Sequence, residues 1–318
     1  MDWEILFKVI IFKFRTNGPN PGMNKEAFQF FKFHGVGRYT AFNMVPTYFG
    51  VYNIYYNGRY FLKDFKDAGY VTGQSINCCV REVFDIDGGA IERMQWTNYD
   101  HENISLFCDT NYVPYNEINS LLRGANSIKR RCLYNNNPSV YSLEYLNQFF
   151  ENYKEEPKFF RVGLVDGHEG TAEVIKYSDD LLADFFEKFE KEGHLDDTLL
   201  IISTDHGFSL PGPYSIPQFE DWDIESTLPT LFVIAPTTLK NYEEIRNNLK
   251  NNEQKMITPF NIFNSFKAIL GNPKLLRSML ENDDIFTETL SDDRDCMNFF
   301  DFLYFRNPNN MLCRCSAI

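Results

Sequence analysis

Residues 198–207 read TLLIISTDHG, an apolar run that ends in a carboxylate, an imidazole and a glycine. Because the run has no polar alternation, it predicts a strand over 198–203 that is buried on both faces, as in a parallel sheet. Asp205 and His206 follow at the carboxyl end, where open α/β sheets bind their ligands, and Gly207 permits a tight turn. This stretch predicts a strand that ends in two candidate metal ligands, with an ordinary polar turn as the alternative.

A second strand, predicted over 160–165, ends in the same way. It leads into Asp166, Gly167 and His168, so two further candidate ligands follow a strand end. Since strand ends of this kind meet at one edge of a sheet, Asp166, His168, Asp205 and His206 are expected to share a site.

Helices alternate with these strands along the chain. Apolar periodicity predicts a helix from about 172 to 192, closed by Gly193, and another from Pro259 to about 270 with Thr258 as its N-cap. A helix over 61–69 is expected to turn into a strand after Gly69, and a further strand is predicted over 231–234. This order is typical of a doubly wound α/β sheet.

The length of the chain predicts its domain organisation. The 318 residues suit one domain over 1–318, and no internal repeat is visible. The region 1–20 is an atypical first strand, in which Lys8 and Lys13 interrupt the apolar stretch Ile5–Phe14. Residues 85–150 give mixed signals and are interpreted as an insertion or cap.

Charge and hydropathy exclude several classes of protein. The chain has 31 Lys and Arg against 44 Asp and Glu, a net charge of −13. This negative field repels nucleic acid, so no nucleic-acid partner is expected. No run of eighteen apolar residues predicts a transmembrane segment, and the sequence gives no basis for an oligomeric state.

The cysteines help to predict the cellular location of the protein. Seven cysteines are dispersed without a CxxC pair, which argues against a structural zinc ribbon. Together with the glycosylation sequon at Asn103, they favour the secretory pathway or an extracellular location. Buried free thiols in a cytoplasmic protein are the alternative.

Thr40 and Asn43 are the candidate catalytic residues. They lie in a glycine-flanked turn, GVGRYTAFN over 35–43, that precedes a predicted helical segment. A threonine hydroxyl becomes a nucleophile when a metal or base activates it, and an amide can donate to a developing oxyanion. The alternative is that Thr40 caps the helix and Asn43 is an ordinary polar residue.

These motifs, taken in order, resemble the sulfatase and alkaline-phosphatase-like superfamily. The segment from Thr40 to Asn43, followed by Pro46 and Gly50, looks like its nucleophile turn, and 199–207 looks like its strand that ends in Asp-His-Gly. The segments 62–72, 225–236 and 257–271 are similar to later elements of the fold. The branch known as domain of unknown function 229 (DUF229) is the nearest resemblance, and its cysteine-rich ending is matched by Cys296, Cys313 and Cys315.

The resemblance implies a fold and a chemistry. The fold would be a mixed, mostly parallel central sheet sandwiched by helices, and the activity would be hydrolysis or transfer of a phosphate ester, or less readily a sulfate ester. Thr40 would be the nucleophile and a metal ligand beside Asp205 and His206, while Asp166 and His168 would hold a second ion. One or two divalent ions are expected, zinc before manganese or calcium. The substrate would be a small-molecule, glycan or lipid-headgroup ester.

Three departures from the superfamily pattern leave a second function open. The predicted first strand ends in Lys13, Phe14 and Arg15, where the family has a metal-binding aspartate, so either the N-terminus is truncated or that ligand is lost. No histidine follows His206, although carboxylates within 220–225 are possible substitutes, and Asp166 and His168 are two residues apart where the family's ligands are four apart. The alternative is therefore a non-catalytic pseudoenzyme ectodomain that binds a glycan or lipid headgroup.

Overall fold

The computed structural model describes residues 25–37, 40–52, 57–77, 97–108, 132–168, 174–207, 227–270 and 284–294, without the side chains of Ala41 and His168. The predicted first strand over 5–14 and the carboxylates of 220–225 lie outside these residues. Of the cysteines, Cys108 and Cys132 lie within them.

Strands and helices alternate through the described residues. The strands are β1 (Lys25–Gln29), β2 (Val71–Ile76), β3 (His101–Asn103), β4 (Lys158–Gly163), β5 (Leu200–Ser203) and β6 (Leu231–Pro236). The α-helices are α1 (Thr40–Phe49), α2 (Phe61–Asp67), α3 (Pro138–Asn152), α4 (Ser178–Lys191), α5 (Tyr242–Asn252) and α6 (Pro259–Ile269). In this part of the chain, the helices all fall short of the length and apolar character that a bilayer-spanning segment needs.

The described strands form two three-stranded sheets, in the orders β3-β2-β4 and β1-β6-β5. β2 is parallel to both of its neighbours, with Gly73 opposite His101 and Phe160. β6 is antiparallel to β1 and β5. The predicted mixed α/β class is confirmed, and the parallel pairs of the described strands lie in one sheet.

The strand predicted over 198–203 is shorter and less buried than expected. β5 begins at Leu200, its apolar residues are half-buried and Ser203 is exposed. Among the described strands it pairs with β6 alone, in antiparallel fashion. The prediction of a parallel strand buried on both faces is wrong for this element, because an apolar run does not distinguish an edge strand from an interior one.

Local signals place several element boundaries where the sequence predicts them. Thr258 and Asn261 form a capping box at the start of α6, which satisfies backbone groups at that helix terminus. Gly69 and Gly193 follow α2 and α4 with φ of +87° and +81°, a left-handed conformation that glycine adopts without a Cβ penalty. The helix predicted from 172 is instead a 3₁₀ turn over Val174–Tyr177 followed by α4.

Two hydrophobic clusters hold these elements together. One joins β1, β6 and α6 through residues such as Phe28, Val233 and Ile262. The other joins α1, α2 and α6 and is rich in rings, with Tyr60 and Phe61 at most 2% exposed. Phe266 of α6 packs against both clusters. Helix α6 therefore links the sheet β1-β6-β5 to α1, which carries Thr40, and to α2.

Part of the region predicted as an insertion or cap lies within the fold. β3 pairs with β2, and α3 packs on the same sheet through Phe149, whose ring contacts Phe160 at 4.9 Å. Residues 78–96 and 109–131 lie outside the described residues, so a cap formed by them stays a prediction.

Candidate functional site

Three chain segments bring polar residues to strand ends. Asn77 follows β2, Asp166 follows β4, and Asp205 and His206 follow β5. β2 and β4 are parallel neighbours, so Asn77 and Asp166 emerge at the same edge of their sheet. Asp166 begins a 3₁₀ turn that ends at His168.

The start of α1 meets the end of β5. Thr40 is the first residue of α1, and its Oγ1 lies 3.1 Å from Nε2 of His206, 166 residues later in the chain. Thr40 is half-buried, and the side chain of His206 is 11% exposed. The structure thus joins two of the predicted site residues in a direct hydrogen bond.

The bonds of His206 determine its tautomer. Its Nδ1 lies 2.6 Å from the carbonyl oxygen of Gly207, and a carbonyl only accepts hydrogen bonds, so Nδ1 carries the hydrogen. In the neutral ring, Nε2 is then an acceptor, and the hydroxyl of Thr40 donates to it. The lone pair on Nε2 points at the hydroxyl that would act as nucleophile.

Backbone pairing holds the loop that carries Asp205 and His206. The amide of Thr204 donates to the carbonyl of Thr230 at 3.0 Å, and the amide of Thr230 donates to Oγ1 of Thr204 at 2.9 Å. These two bonds extend the β5–β6 pairing by one residue. They place Asp205 beside His206, with its Oδ2 3.5 Å from Nε2.

Asn43 braces the turn before α1. Its Oδ1 accepts from the amides of Val36 at 2.8 Å and Gly37 at 3.2 Å, and its Nδ2 donates to the carbonyl of Gly37 at 2.7 Å. The residue is 1% exposed. Nδ2 carries a second N–H, so donation by Asn43 to a substrate oxygen stays a prediction, and the bonds described here hold the turn that leads to Thr40.

Asp166 lies in a buried polar network. Its Oδ2 accepts from Nδ2 of Asn77 at 2.7 Å and from Oγ of Ser139 at 2.8 Å, and the residue is 4% exposed. Ser139 is in the first turn of α3, where the positive end of the helix dipole favours a carboxylate. Asp166 therefore joins β2, β4 and α3.

Replacing Asp166 with alanine is expected to lower the free energy of unfolding by about 2–4 kcal/mol, because two buried donors lose their acceptor. Asp166→Asn keeps an acceptor oxygen and should lose about half as much. Urea unfolding followed by circular dichroism measures both values, with the exposed Asp197→Ala as control. Equal stability of Asp166→Ala and wild type would contradict this structural role.

The predicted metal ligands converge only in part. Oγ1 of Thr40 and Oδ2 of Asp205 lie 3.1 and 3.5 Å from Nε2 of His206. Two atoms bound to one tetrahedral zinc at about 2.1 Å are roughly 3.4 Å apart, so each of these two distances suits a pair of ligands on one divalent ion. Among the described side chains, Asp166 does not join Asp205 and His206 in a set of three ligand atoms within 4.8 Å of one another.

Sequence reasoning missed Asn77 and Ser139. Asn77 directly follows β2, so the strand-end argument that identified Asp166 and Asp205 applies to it as well. Ser139 follows Asn137 and Pro138, an N-cap and N1 pair that predicts the start of a helix. In the structure Oδ1 of Asn137 accepts from the amide of Ser139 at 3.0 Å.

Two of the other described histidines have hydrogen-bond partners away from Thr40. Nδ1 of His34 lies 2.6 Å from the carbonyl of Gly35 in the buried turn. Nε2 of His101 lies 2.7 Å from the hydroxyl of Tyr153. His194 lies between α4 and the start of β5, whereas Asp205 follows the end of β5. Cys108 is disulfide-bonded, whereas Cys132 is an exposed free thiol.

Solved structures show where this fold occurs. The C-terminal periplasmic domain of EcEptC from Escherichia coli superposes with a TM-score of 0.54 at 9% identity, over 90% of this chain and 81% of that one. The lipoteichoic acid synthase LtaP from Listeria monocytogenes superposes with a TM-score of 0.53 at 13% identity, over 83% of this chain and 68% of that one. The protein BT33336S-sulf, from a locus of Bacteroides thetaiotaomicron for the metabolism of glycosaminoglycans, superposes with a TM-score of 0.55 at 14% identity, over 83% of this chain and 75% of that one. The fold is alkaline-phosphatase-like.

Sequence comparison assigns the family. No curated protein is significantly similar to this chain in sequence. A family model described as protein of unknown function (DUF229) matches residues 109–303, which is more than half of the 318 residues. The match spans β4, β5, β6 and the loop that carries Asp205 and His206. The chain therefore belongs to the DUF229 family.

Proposed function

We propose that this protein is a metal-dependent enzyme that hydrolyses or transfers a phosphate ester, with Thr40 as its nucleophile. The observation that carries the proposal is the 3.1 Å contact between Oγ1 of Thr40 and Nε2 of His206. A hydroxyl this close to an imidazole nitrogen can bind the same divalent ion or give its proton to the ring, and either arrangement activates a weak nucleophile.

The position of Thr40 suits an anionic substrate. It is the first residue of a ten-residue helix, and the free amides and dipole at such an N-terminus attract phosphate. The exposed ring of Phe42, in the same turn, is 50% accessible and offers an apolar surface to the rest of the substrate. A sulfate ester has the same tetrahedral shape but carries less charge than a phosphate monoester.

The reaction is a displacement at phosphorus. Oγ1 of Thr40 forms a bond to phosphorus while the bond to the ester oxygen breaks, and the proton of Thr40 passes to solvent, because Nε2 of His206 would be a metal ligand. The departing alkoxide takes a proton from solvent. Water or an acceptor alcohol then takes the phosphoryl group from Thr40, which makes the enzyme a hydrolase or a transferase.

Thr40, Asp205 and His206 would hold one divalent ion, zinc before manganese or calcium, because Oγ1 of Thr40 and Oδ2 of Asp205 both lie at suitable distances from Nε2 of His206. Such an ion supplies positive charge at the phosphate oxygens and lowers the pKa of a bound hydroxyl. An ion and a proton compete for the lone pair on Nε2, so His206 serves as a ligand in the metal-loaded protein and as a base without it. A second ion at Asp166 and His168 stays part of the proposal.

The proposed substrate is the ester of a glycan or lipid headgroup. The support is that one protein with this fold is a lipoteichoic acid synthase and another belongs to a glycosaminoglycan-metabolism locus. An oxidising location, secretory or extracellular, is proposed because Cys108 is disulfide-bonded and such bonds persist mainly outside the cytosol.

Metal content and ester turnover, measured on the same preparations, test the proposal. Wild type, Asp205→Ala and the control Asp197→Ala, at the other end of β5, are assayed for bound zinc and manganese and for turnover of 4-nitrophenyl phosphate and 4-nitrophenyl sulfate. We expect faster turnover of the phosphate, and loss of both metal and turnover in Asp205→Ala alone. A folded wild type with no bound metal and no turnover would overturn the proposal and favour the binding ectodomain.

A further inference from the structure

A second cluster of metal-binding side chains lies away from Thr40. Glu151 is near the end of α3, and Glu192 and His194 follow α4. Since α3 leads into the start of β4, and α4 into the start of β5, this cluster lies near the starts of these strands, whereas Asp166 and Asp205 follow their ends. It is therefore separate from the proposed active site, and the inference goes beyond the proposed function.

Three ligand atoms face one another in this cluster. Nε2 of His194 lies 3.1 Å from Oε1 of Glu151 and 3.7 Å from Oε2 of Glu192, and all three atoms lie within 4.8 Å of one another. These distances bracket the roughly 3.4 Å that separates two ligands of a tetrahedral zinc. One nitrogen and two carboxylates form a donor set that zinc accepts.

The imidazole of His194 is held rigidly. Its ring packs 4.7 Å from the ring of Phe189 and 5.6 Å from that of Phe150. Gly193, with its left-handed φ, turns the chain after α4, and the amide of His194 donates to the carbonyl of Phe189 at 3.1 Å. The ring is thus fixed by packing, as a preorganised ligand requires.

Nε2 of His194 has no hydrogen-bond partner. It is shielded from solvent, and the 3.1 Å contact with Glu151 lacks hydrogen-bond geometry. A buried polar nitrogen without a partner costs free energy. A metal ion between His194 and the two carboxylates would satisfy it.

Each of the two glutamates pairs with a lysine through the carboxylate oxygen that does not face His194. Nζ of Lys154 lies 2.7 Å from Oε2 of Glu151, and Nζ of Lys188 lies 3.7 Å from Oε1 of Glu192. Each glutamate therefore presents its other oxygen to His194. The lysines balance the charge of the carboxylates without filling the space between the three ligand atoms.

We propose that Glu151, Glu192 and His194 bind one zinc ion, with water as the fourth ligand, and that this ion clips the end of α3 to the turn after α4. The half-exposed glutamates leave an open side for that water. The clip joins the helix before β4 to the helix before β5, so zinc bound there should stabilise the packing of both helices against the sheet.

Zinc titration of the full chain tests the proposed zinc site. The experiment uses an Asp205→Ala background, which removes the other proposed site, and compares it with the same chain carrying Glu151→Gln and Glu192→Gln. These two residues are partly exposed, so their replacement leaves the core intact. Glu187→Gln, an exposed glutamate of α4 paired with Lys191, is the matched control.

We expect the background chain and the Glu187→Gln control to bind zinc with a raised Tm, and the double glutamine variant to bind one ion fewer, with at least a tenfold weaker response. His194→Phe, which keeps the ring packing and removes the nitrogen, should behave like the double variant. Equal zinc stoichiometry in all four chains would overturn the clip. Because Asp205 is absent throughout, this result is independent of the proposed phosphoesterase activity.

Discussion

Thr40→Ala is expected to lower kcat/KM for the phosphate ester by about 10⁴-fold or more, because removal of a catalytic nucleophile leaves only binding and electrostatic effects. The hydroxyl that bonds Nε2 of His206 is lost, while the helix keeps its backbone. Initial rates on 4-nitrophenyl phosphate measure the change, and the melting temperature should shift little.

Two variants make this result specific. Thr40→Ser retains a hydroxyl at the same position and should recover most of the activity. Thr47→Ala removes a hydroxyl about two turns further along α1, where it donates to the carbonyl of Asn43 at 2.8 Å, and should leave the rate near that of wild type. An active Thr40→Ala protein would exclude Thr40 as the nucleophile, and the absence of a phosphorylated Thr40 peptide in rapidly quenched reactions would exclude the covalent step.

Phe61→Ala is expected to lower the free energy of unfolding by about 3–5 kcal/mol, the usual loss for a buried ring cut to a methyl group. Phe61 is 2% exposed, stacks on Phe266 at 4.7 Å and meets Phe159 at 5.3 Å. Its removal opens a cavity between α2, β4 and α6. Equilibrium unfolding in urea measures the loss.

The matched control is Phe31→Ala, because that ring is 47% exposed and its truncation should cost less than about 1 kcal/mol. If Phe61→Ala does not fold, Phe61→Leu leaves a smaller cavity and keeps the comparison measurable. Similar losses in the Phe61 and Phe31 variants would show that the aromatic cluster around α2 contributes little to stability.

The two site residues joined in the structure differ in how they were recognised. Asp205 and His206 were identified from position alone, because an apolar run that ends in polar residues marks the carboxyl end of a strand. For Thr40, the turn alone leaves a nucleophile and a helix cap as alternatives, and the family resemblance favours the nucleophile. Its contact with His206 crosses 166 residues, and no local pattern predicts such a contact.

For Asp166 and Asn43, the sequence indicates the residue and its position, and the structure adds the hydrogen-bond partners. Both are polar residues at the expected positions, yet their side chains bond to neighbouring elements: Asp166 to Asn77 and Ser139, and Asn43 to the turn at Gly37. The residue type and its position in the chain suggest a metal ligand for Asp166 and a hydrogen-bond donor to the substrate for Asn43. Which atoms remain open to a substrate depends on partners brought in by folding.

The sequence alone predicts the α/β class, the caps and glycines that bound the helices, and the strand that precedes Asp205 and His206. These features depend on periodicity and on contacts within a few residues. Only the tertiary structure decides that β5 is half-buried beside β6, that Thr40 reaches His206, and that Glu151, Glu192 and His194 meet. The reason is that each depends on residues distant in the chain, and their encounter is determined by packing of the whole core.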